Sequence, residues 1–131
     1  MIGLDTNLLV RYLTKDDPVQ FGTARKFIEQ AASREERLFI NTVVLCELTW
    51  VLESAYGYTR AEIGDVLERI LATAQFEIEH AHESRLALAD FNATRADYAD
   101  ALIGRINRLQ GATRTVTFDR DLKALDTFEV L

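Results

Sequence analysis

Residues 1–10, MIGLDTNLLV, place a carboxylate between two apolar runs. Residues 2–4 are predicted to form a short strand that is apolar on both faces, which is typical of a central strand in a parallel sheet. A helix is predicted to begin near Leu8. Asp5 lies at this junction, and its simplest role is to cap the helix, because a short acidic side chain accepts hydrogen bonds from free N–H groups.

Short apolar runs alternate with amphipathic helical stretches along the rest of the chain. Further strands are predicted at residues 38–40, 76–78, 115–117 and 128–131. Helical patterns occupy residues 8–13, 18–33, 41–57, 59–74, 80–93, 97–111 and 119–125. Strands that alternate with helices pair in parallel through right-handed crossovers. The sequence therefore predicts the α/β class, as a three-layer α/β/α sandwich with a central parallel sheet of about five strands in a single domain, residues 1–131.

The composition is that of an ordinary globular protein, with 48% apolar and 27% charged residues. A net charge of -6 argues against broad electrostatic binding of nucleic acid, although it allows a local basic patch or carboxylates gathered around a cation. Cys46 is the single cysteine, so no internal disulfide can form. The N-terminus lacks the pattern of a signal peptide, and no apolar run approaches the roughly 20 residues of a membrane helix. We expect a cytoplasmic protein with no membrane segment.

Four separate segments carry acids toward one predicted edge of the sheet. Asp5 follows the first strand and Asp119 follows the fourth, while Glu47 and Asp100 lie in the helices after the second strand and before the fourth. In open α/β sheets, ligands bind outside the carboxyl ends of the strands. Like charges held close together repel, and a divalent cation such as Mg²⁺ or Mn²⁺, which prefers oxygen ligands, resolves that conflict. The convergence therefore predicts a cation site.

Each acid also has a purely structural explanation. Glu47 lies in a helix that is apolar nearly all round, so it is predicted to be buried and to need an Arg or Lys partner, a network of hydrogen bonds or a metal. Asp97 is the natural N-cap of the helix at 97–111, which leaves Asp100 as the better ligand candidate. Asp119 could cap the last helix, with Asp121 in its first turn. For each residue taken singly, the structural role stays open. The four acids taken together favour a bound cation.

Four motifs together resemble the PIN-domain ribonucleases, and most closely the VapC-like toxins of bacterial toxin–antitoxin pairs. The motifs are LDTNLLVRYL at residues 4–13, NTVVLCELTWVL at 41–52, DYADALIGRI at 97–106 and TVTFDRDL at 115–122. The resemblance covers essentially the whole chain, including its length and the order of its elements. It implies a PIN-like fold and metal-dependent endonucleolytic cleavage of RNA.

The resemblance also implies roles for individual residues. Asp5, Glu47, Asp100 and Asp119 would be the catalytic acids. Asp5 and Asp100 would hold Mg²⁺ or Mn²⁺ directly or through water, and Asp119 would help to hold it or a second ion. The glutamate would position or deprotonate the attacking water, leaving 5′-phosphate and 3′-hydroxyl ends. Accessory candidates are Thr6, Asp97, Thr117 and Asp121. Cations that could contact the RNA backbone, with ordinary solvated surface as the alternative, are Arg11, Lys15, Arg105, Arg108, Arg114 and Arg120.

The implied partners are an RNA substrate, a cognate antitoxin protein and a second copy of the chain in a homodimer. The alternative is a non-catalytic PIN-like module that acts through protein or RNA binding. A phospho-receiver domain is disfavoured, because no aspartate follows the third predicted strand. His80 and His82 match no zinc signature and are expected on the surface or in a loop.

Overall fold

The computed structural model describes residues 1–131 and contains five strands, six α-helices and one short 3-10 helix. The strands are β1 (Ile2–Gly3), β2 (Leu38–Ile40), β3 (Phe76–Ile78), β4 (Thr115–Thr117) and β5 (Phe128–Val130). The helices are α1 (Thr6–Thr14), α2 (Pro18–Ser33), α3 (Thr42–Tyr56), α4 (Arg60–Ala72), α5 (Ala81–Ala93), α6 (Tyr98–Leu109) and the 3-10 helix Arg120–Leu122. None of the helices combines the length and apolar composition needed to cross a membrane.

The strands pair in parallel, which confirms the predicted α/β class. They form two sheets, however: a three-stranded sheet in the order β1-β2-β3 and a separate pair of β4 and β5. The predicted single sheet of about five strands is therefore divided. The prediction that β1 is central was wrong, since it pairs only with β2 and Ile2 is 39% exposed. Asp5 caps α1 two residues after this strand, and the ladder between β1 and β2 has only two residue pairs.

Local capping chemistry sets the bounds of the helices that carry the candidate residues. The Asn41 side chain accepts a hydrogen bond from the Val44 N–H at the start of α3, and Gly57 ends that helix in the left-handed conformation. Thr59 and Glu62 form a reciprocal capping box at the start of α4. These ends agree with the predicted helix boundaries, because caps depend on residues that are near in sequence.

Helix α3 packs against the core along one face only. Leu45, Leu48 and Leu52 are fully buried within a core cluster of 27 apolar residues. On the opposite face, Val43 and Trp50 are 64% and 68% exposed. The prediction of a helix buried nearly all round was therefore wrong, because an apolar sequence does not show which of its faces other elements cover.

Gly104 sets the distance between α6 and the segment that leads into β5. A Cβ atom at this position would lie 2.6 Å from the Thr127 hydroxyl oxygen and 2.6 Å from the Phe128 ring. Thr127 is buried, and its hydroxyl has no hydrogen-bond partner in the structure. The absence of a side chain at Gly104 therefore allows the helix that carries Asp100 to approach the second sheet closely.

Candidate active site

Asp5, Thr6 and Glu47 meet where α1 begins beside α3. One Asp5 carboxylate oxygen accepts a hydrogen bond from the Leu8 N–H at 3.0 Å, so this acid caps α1 as predicted. The Thr6 hydroxyl donates a hydrogen bond to Glu47 Oε1 at 2.9 Å. This bond joins two segments that are 41 residues apart in the chain. It brings Glu47 next to the end of the first strand, which is where the acids were predicted to converge.

Glu47 is exposed, which corrects the prediction that it is buried. It lies on the solvent face of α3, one turn from Val43 and one turn from Trp50, both of which are also exposed. Glu47 forms no ion pair; its only side-chain hydrogen bond is the one from Thr6. The burial inferred from the sequence is therefore absent, and the second carboxylate oxygen of Glu47 has no hydrogen-bond partner.

Asp97, Asp100 and Asp119 form a second acidic group. The pKa of Asp100 is raised above its usual value, first by burial and then by the negative charges of Asp97 and Asp119. Asp97, at the start of α6, and Asp119, after β4, thus lie near enough to Asp100 for their charges to act on it. Asp97 occupies the N-cap position of α6, but its side chain makes no capping hydrogen bond. The predicted capping interaction is therefore absent, and this carboxylate is not engaged by the helix.

Cys46 lies near one acid of each group. It precedes Glu47 on α3, and its pKa is raised by burial and then by the charge of Asp100 on α6. No pattern in the sequence assigns this residue to the site. Its position beside Glu47 in the chain was the only available signal, and a lone half-buried cysteine carries no specific chemistry by itself.

Asp119 is held in a tight turn after β4. Its N–H donates to the Thr117 hydroxyl oxygen at 3.0 Å, and its carboxylate accepts a hydrogen bond from the Asp121 N–H at 2.9 Å. Asp119 therefore caps the 3-10 helix, as the structural alternative predicted, while one of its oxygens stays available. The Asp121 carboxylate is exposed and makes no hydrogen bond.

None of the candidate acids is neutralised by a cationic side chain. The ion pairs of the chain all lie elsewhere and involve neither group of acids. No three His, Cys, Asp or Glu side chains are close enough to hold a metal ion by themselves. The site is thus an open arrangement of carboxylate and hydroxyl oxygens, whose donor chemistry fits a hard cation that takes one or two carboxylates and completes its shell with water.

Most of the cations proposed to contact RNA are held within the chain. Arg11 pairs with Asp16, and the Lys15 ammonium lies 5.2 Å from the centre of the Phe21 ring. Three others form ion pairs: Arg105 with Asp90, Arg108 with Asp126 and Arg114 with Glu129. Arg120 alone among the six has no side-chain partner. These contacts favour structural roles for five of the candidates, and an RNA-binding role for any of them stays a prediction.

The Asp90–Arg105 pair is expected to stabilise the packing of α5 against α6. Both side chains are mostly buried, and the two bonds measure 2.7 and 2.8 Å. We expect Asp90→Asn to lower the free energy of unfolding in urea by about 1 kcal/mol, because it weakens a charge-assisted bidentate contact. The matched control is Glu77→Gln, which disrupts the exposed pair with Arg37 and should cost less than about 0.5 kcal/mol. Equal effects of the two variants would contradict this assignment.

Comparison with known proteins yields one family and one curated relative. A family model described as "PIN domain" matches residues 2–127. A VapC ribonuclease of Aquifex aeolicus (strain VF5) is 29% identical to this chain over 122 residues. The alignment covers 93% of this chain and 90% of the relative. The likeness therefore extends over both groups of acids and the elements that position them.

Proposed function

This chain belongs to the PIN domain family, and from that membership we propose that it is a metal-dependent endoribonuclease, the toxin of a toxin–antitoxin pair. The observation that carries the proposal is the arrangement of Asp5, Glu47, Asp100 and Asp119. These four acids come from separate parts of the chain, and none is neutralised by an Arg or Lys. The name of the related VapC ribonuclease supports RNA as the substrate.

In this proposal, Asp5 and Asp100 would hold a Mg²⁺ or Mn²⁺ ion, directly or through water, and Asp119 would help to hold that ion or a second one. Such an ion, when bound, lowers the pKa of water and stabilises negative charge on the phosphoryl oxygens. Glu47 accepts the proton of the attacking water, and the Thr6 hydroxyl fixes the orientation of its carboxylate. Thr117 holds the turn that presents Asp119. Attack by water on the phosphorus breaks the bond to the 3′ oxygen, which takes a proton from solvent, so the products are a 5′-phosphate and a 3′-hydroxyl.

Apolar side chains around the acids support the proposed protein partners, an antitoxin and a second copy of the chain. Val43 and Trp50 flank Glu47 on α3, and Phe118, which precedes Asp119, is 83% exposed. Exposed apolar groups that cluster together are typical of surfaces that another protein covers. We place such a complex in the cytoplasm, where its RNA targets are.

Manganese binding is the first test of the proposal. We expect Mn²⁺ at about ten times its dissociation constant to raise the melting temperature of the wild-type protein by about 5 °C, because an ion that binds only the folded state stabilises it. Asp100→Asn should lose most of this shift. The control Asp65→Asn removes an exposed acid of α4 and should retain it. An unchanged melting temperature in the wild type would favour the non-catalytic alternative.

A further inference from the structure

A groove of about 590 Å³ lies between the α5–α6 connection and the 3-10 helix. Three exposed cations line it: Arg95, Arg120 and Lys123. None of them forms an ion pair or a side-chain hydrogen bond within the chain, and Asp121 is the single carboxylate in the lining. We call these three cations and the space between them the basic groove. In a chain of net charge -6, it is a local concentration of positive charge with no internal partner.

The basic groove adjoins the second group of acids. Arg95 lies two residues before Asp97, and Arg120 directly follows Asp119. Both of these aspartates act on the pKa of Asp100. The two loops that present the acids therefore also present the cations, so a ligand that reaches the acids from this side must cross the basic groove.

The chemistry of the lining selects the kind of ligand. Arg and Lys side chains contact phosphate oxygens whatever the base sequence. No aromatic side chain lines the groove, so it offers no platform on which a base could stack. The carboxylates beside it repel a polyanion, and cations at the edge of the site offset that repulsion. These features favour a phosphodiester backbone over a free base or an apolar ligand.

We propose that the basic groove binds the sugar–phosphate backbone of the RNA strand on one side of the scissile phosphate, with Arg95 and Lys123 as positioning residues. This inference rests on the proposed nuclease function and adds to it the path of the substrate across the protein. Arg95 and Lys123 hold the strand without contacting the reacting atoms. Their removal should therefore weaken substrate binding and leave the chemical step intact.

The test compares two variants of equal charge. Arg95→Gln/Lys123→Gln removes two cations of the groove, and Lys26→Gln/Arg34→Gln removes one Lys and one Arg, both exposed, from α2 and its C-terminal end. Each pair is placed in the Asp5→Asn background, so that a labelled single-stranded RNA of mixed sequence stays intact during anisotropy titrations. We expect about tenfold weaker binding for the groove variant, since each exposed charge contact is worth up to about fivefold. We expect less than about a twofold effect for the control.

The salt dependence gives a second readout. For single strands, the slope of log affinity against log salt should flatten by about 0.7 for each phosphate contact removed. In the cleavage-competent protein, the groove variant should raise KM for RNA about tenfold and change kcat by less than about twofold. Hydrolysis of bis(p-nitrophenyl) phosphate, a small diester that carries no flanking nucleotides, should be unchanged. The exchange Arg95→Lys/Lys123→Arg should restore RNA binding and so exclude a folding defect.

Failure of the inference differs from failure of the proposed function. Equal RNA affinity and KM in the groove variant and its control would overturn the basic groove as the RNA path, even while the wild type cleaves RNA. That result would leave an acidic protein segment as the remaining candidate ligand. If the wild type neither binds nor cleaves RNA, the proposed function fails and the inference fails with it. If it binds without cleaving, the affinities and salt slopes still decide the role of the groove.

Discussion

Asp100→Asn should reduce RNA cleavage at least about 100-fold, as expected when a group that stabilises charge in the transition state is lost. In the proposed site this carboxylate is a metal ligand, and a neutral amide is a poorer ligand for Mg²⁺ or Mn²⁺. The same change should raise the melting temperature of the protein in a chelating buffer. Asp100 is partly buried and is repelled by Asp97 and Asp119, so its charge strains the metal-free folded state.

The increase in melting temperature expected for Asp100→Asn should depend on pH in a defined direction. The pKa of Asp100 is higher in the folded protein than its usual value, so the unfolded chain loses this proton first as the pH rises. The ionised group therefore destabilises the folded state at neutral pH, and this penalty disappears as the pH falls through the raised pKa. The difference in melting temperature between Asp100→Asn and the wild type should thus be largest near neutral pH and shrink with acidification.

A matched variant separates this effect from a general loss of charge. Asp65 is an exposed acid on α4 that forms no ion pair, so Asp65→Asn should leave both cleavage and the melting temperature close to those of the wild type. Two results would contradict the assignment of Asp100. One is full cleavage by Asp100→Asn, and the other is a lower melting temperature for that variant in chelator.

Gly104→Ala is expected to lower the free energy of unfolding by about 2 kcal/mol. The added Cβ would lie 2.6 Å from both the Thr127 hydroxyl oxygen and the Phe128 ring, so α6 or the segment at the start of β5 must move. Thr127 is buried, and overpacking of a filled interior forces such shifts. The loss should exceed the gain in helix propensity that alanine provides, which is about 1 kcal/mol.

The control for this variant lies in α2. Gly22 is inside that helix, and a Cβ built there meets nothing within 4 Å. Gly22→Ala should therefore stabilise the protein by about 0.5–1 kcal/mol, through helix propensity alone. If α6 and β5 are packed as closely as described, urea denaturation should show midpoint shifts of opposite sign for the two variants. A shift of the same sign in both would show that α6 and β5 have room to adjust.

The sequence predicted those features that depend on neighbouring residues. The bounds of α2, β2, β3 and β4 agree with the prediction, and the capping residues Asn41, Gly57 and Thr59 lie at the predicted limits of their helices. The proximity of Asp100 to Asp119 was predicted from the rule that strand ends and helix starts share one edge, and the raised pKa of Asp100 agrees with it.

Features that depend on tertiary packing could not be predicted in this way. Whether Glu47 was buried depended on which face of α3 other elements covered. Val43 and Trp50 are apolar but exposed, so the sequence did not distinguish the exposed face from the buried one. The Asp90–Arg105 pair joins two helices whose relative register the sequence does not show. The same holds for the basic groove, because Arg95 and Lys123 are ordinary surface residues until the fold places them together.

Cleavage of RNA by the wild type and by Asp100→Asn, with Mn²⁺ and with a chelator, followed by sequencing of the RNA ends, tests the nuclease assignment most directly. Metal-dependent cleavage predicts 5′-phosphate ends at defined positions for the wild type with Mn²⁺ only. It predicts a yield at least about 100-fold lower for Asp100→Asn. End profiles that are the same for both proteins, or that persist in chelator, would contradict metal-dependent cleavage by these carboxylates.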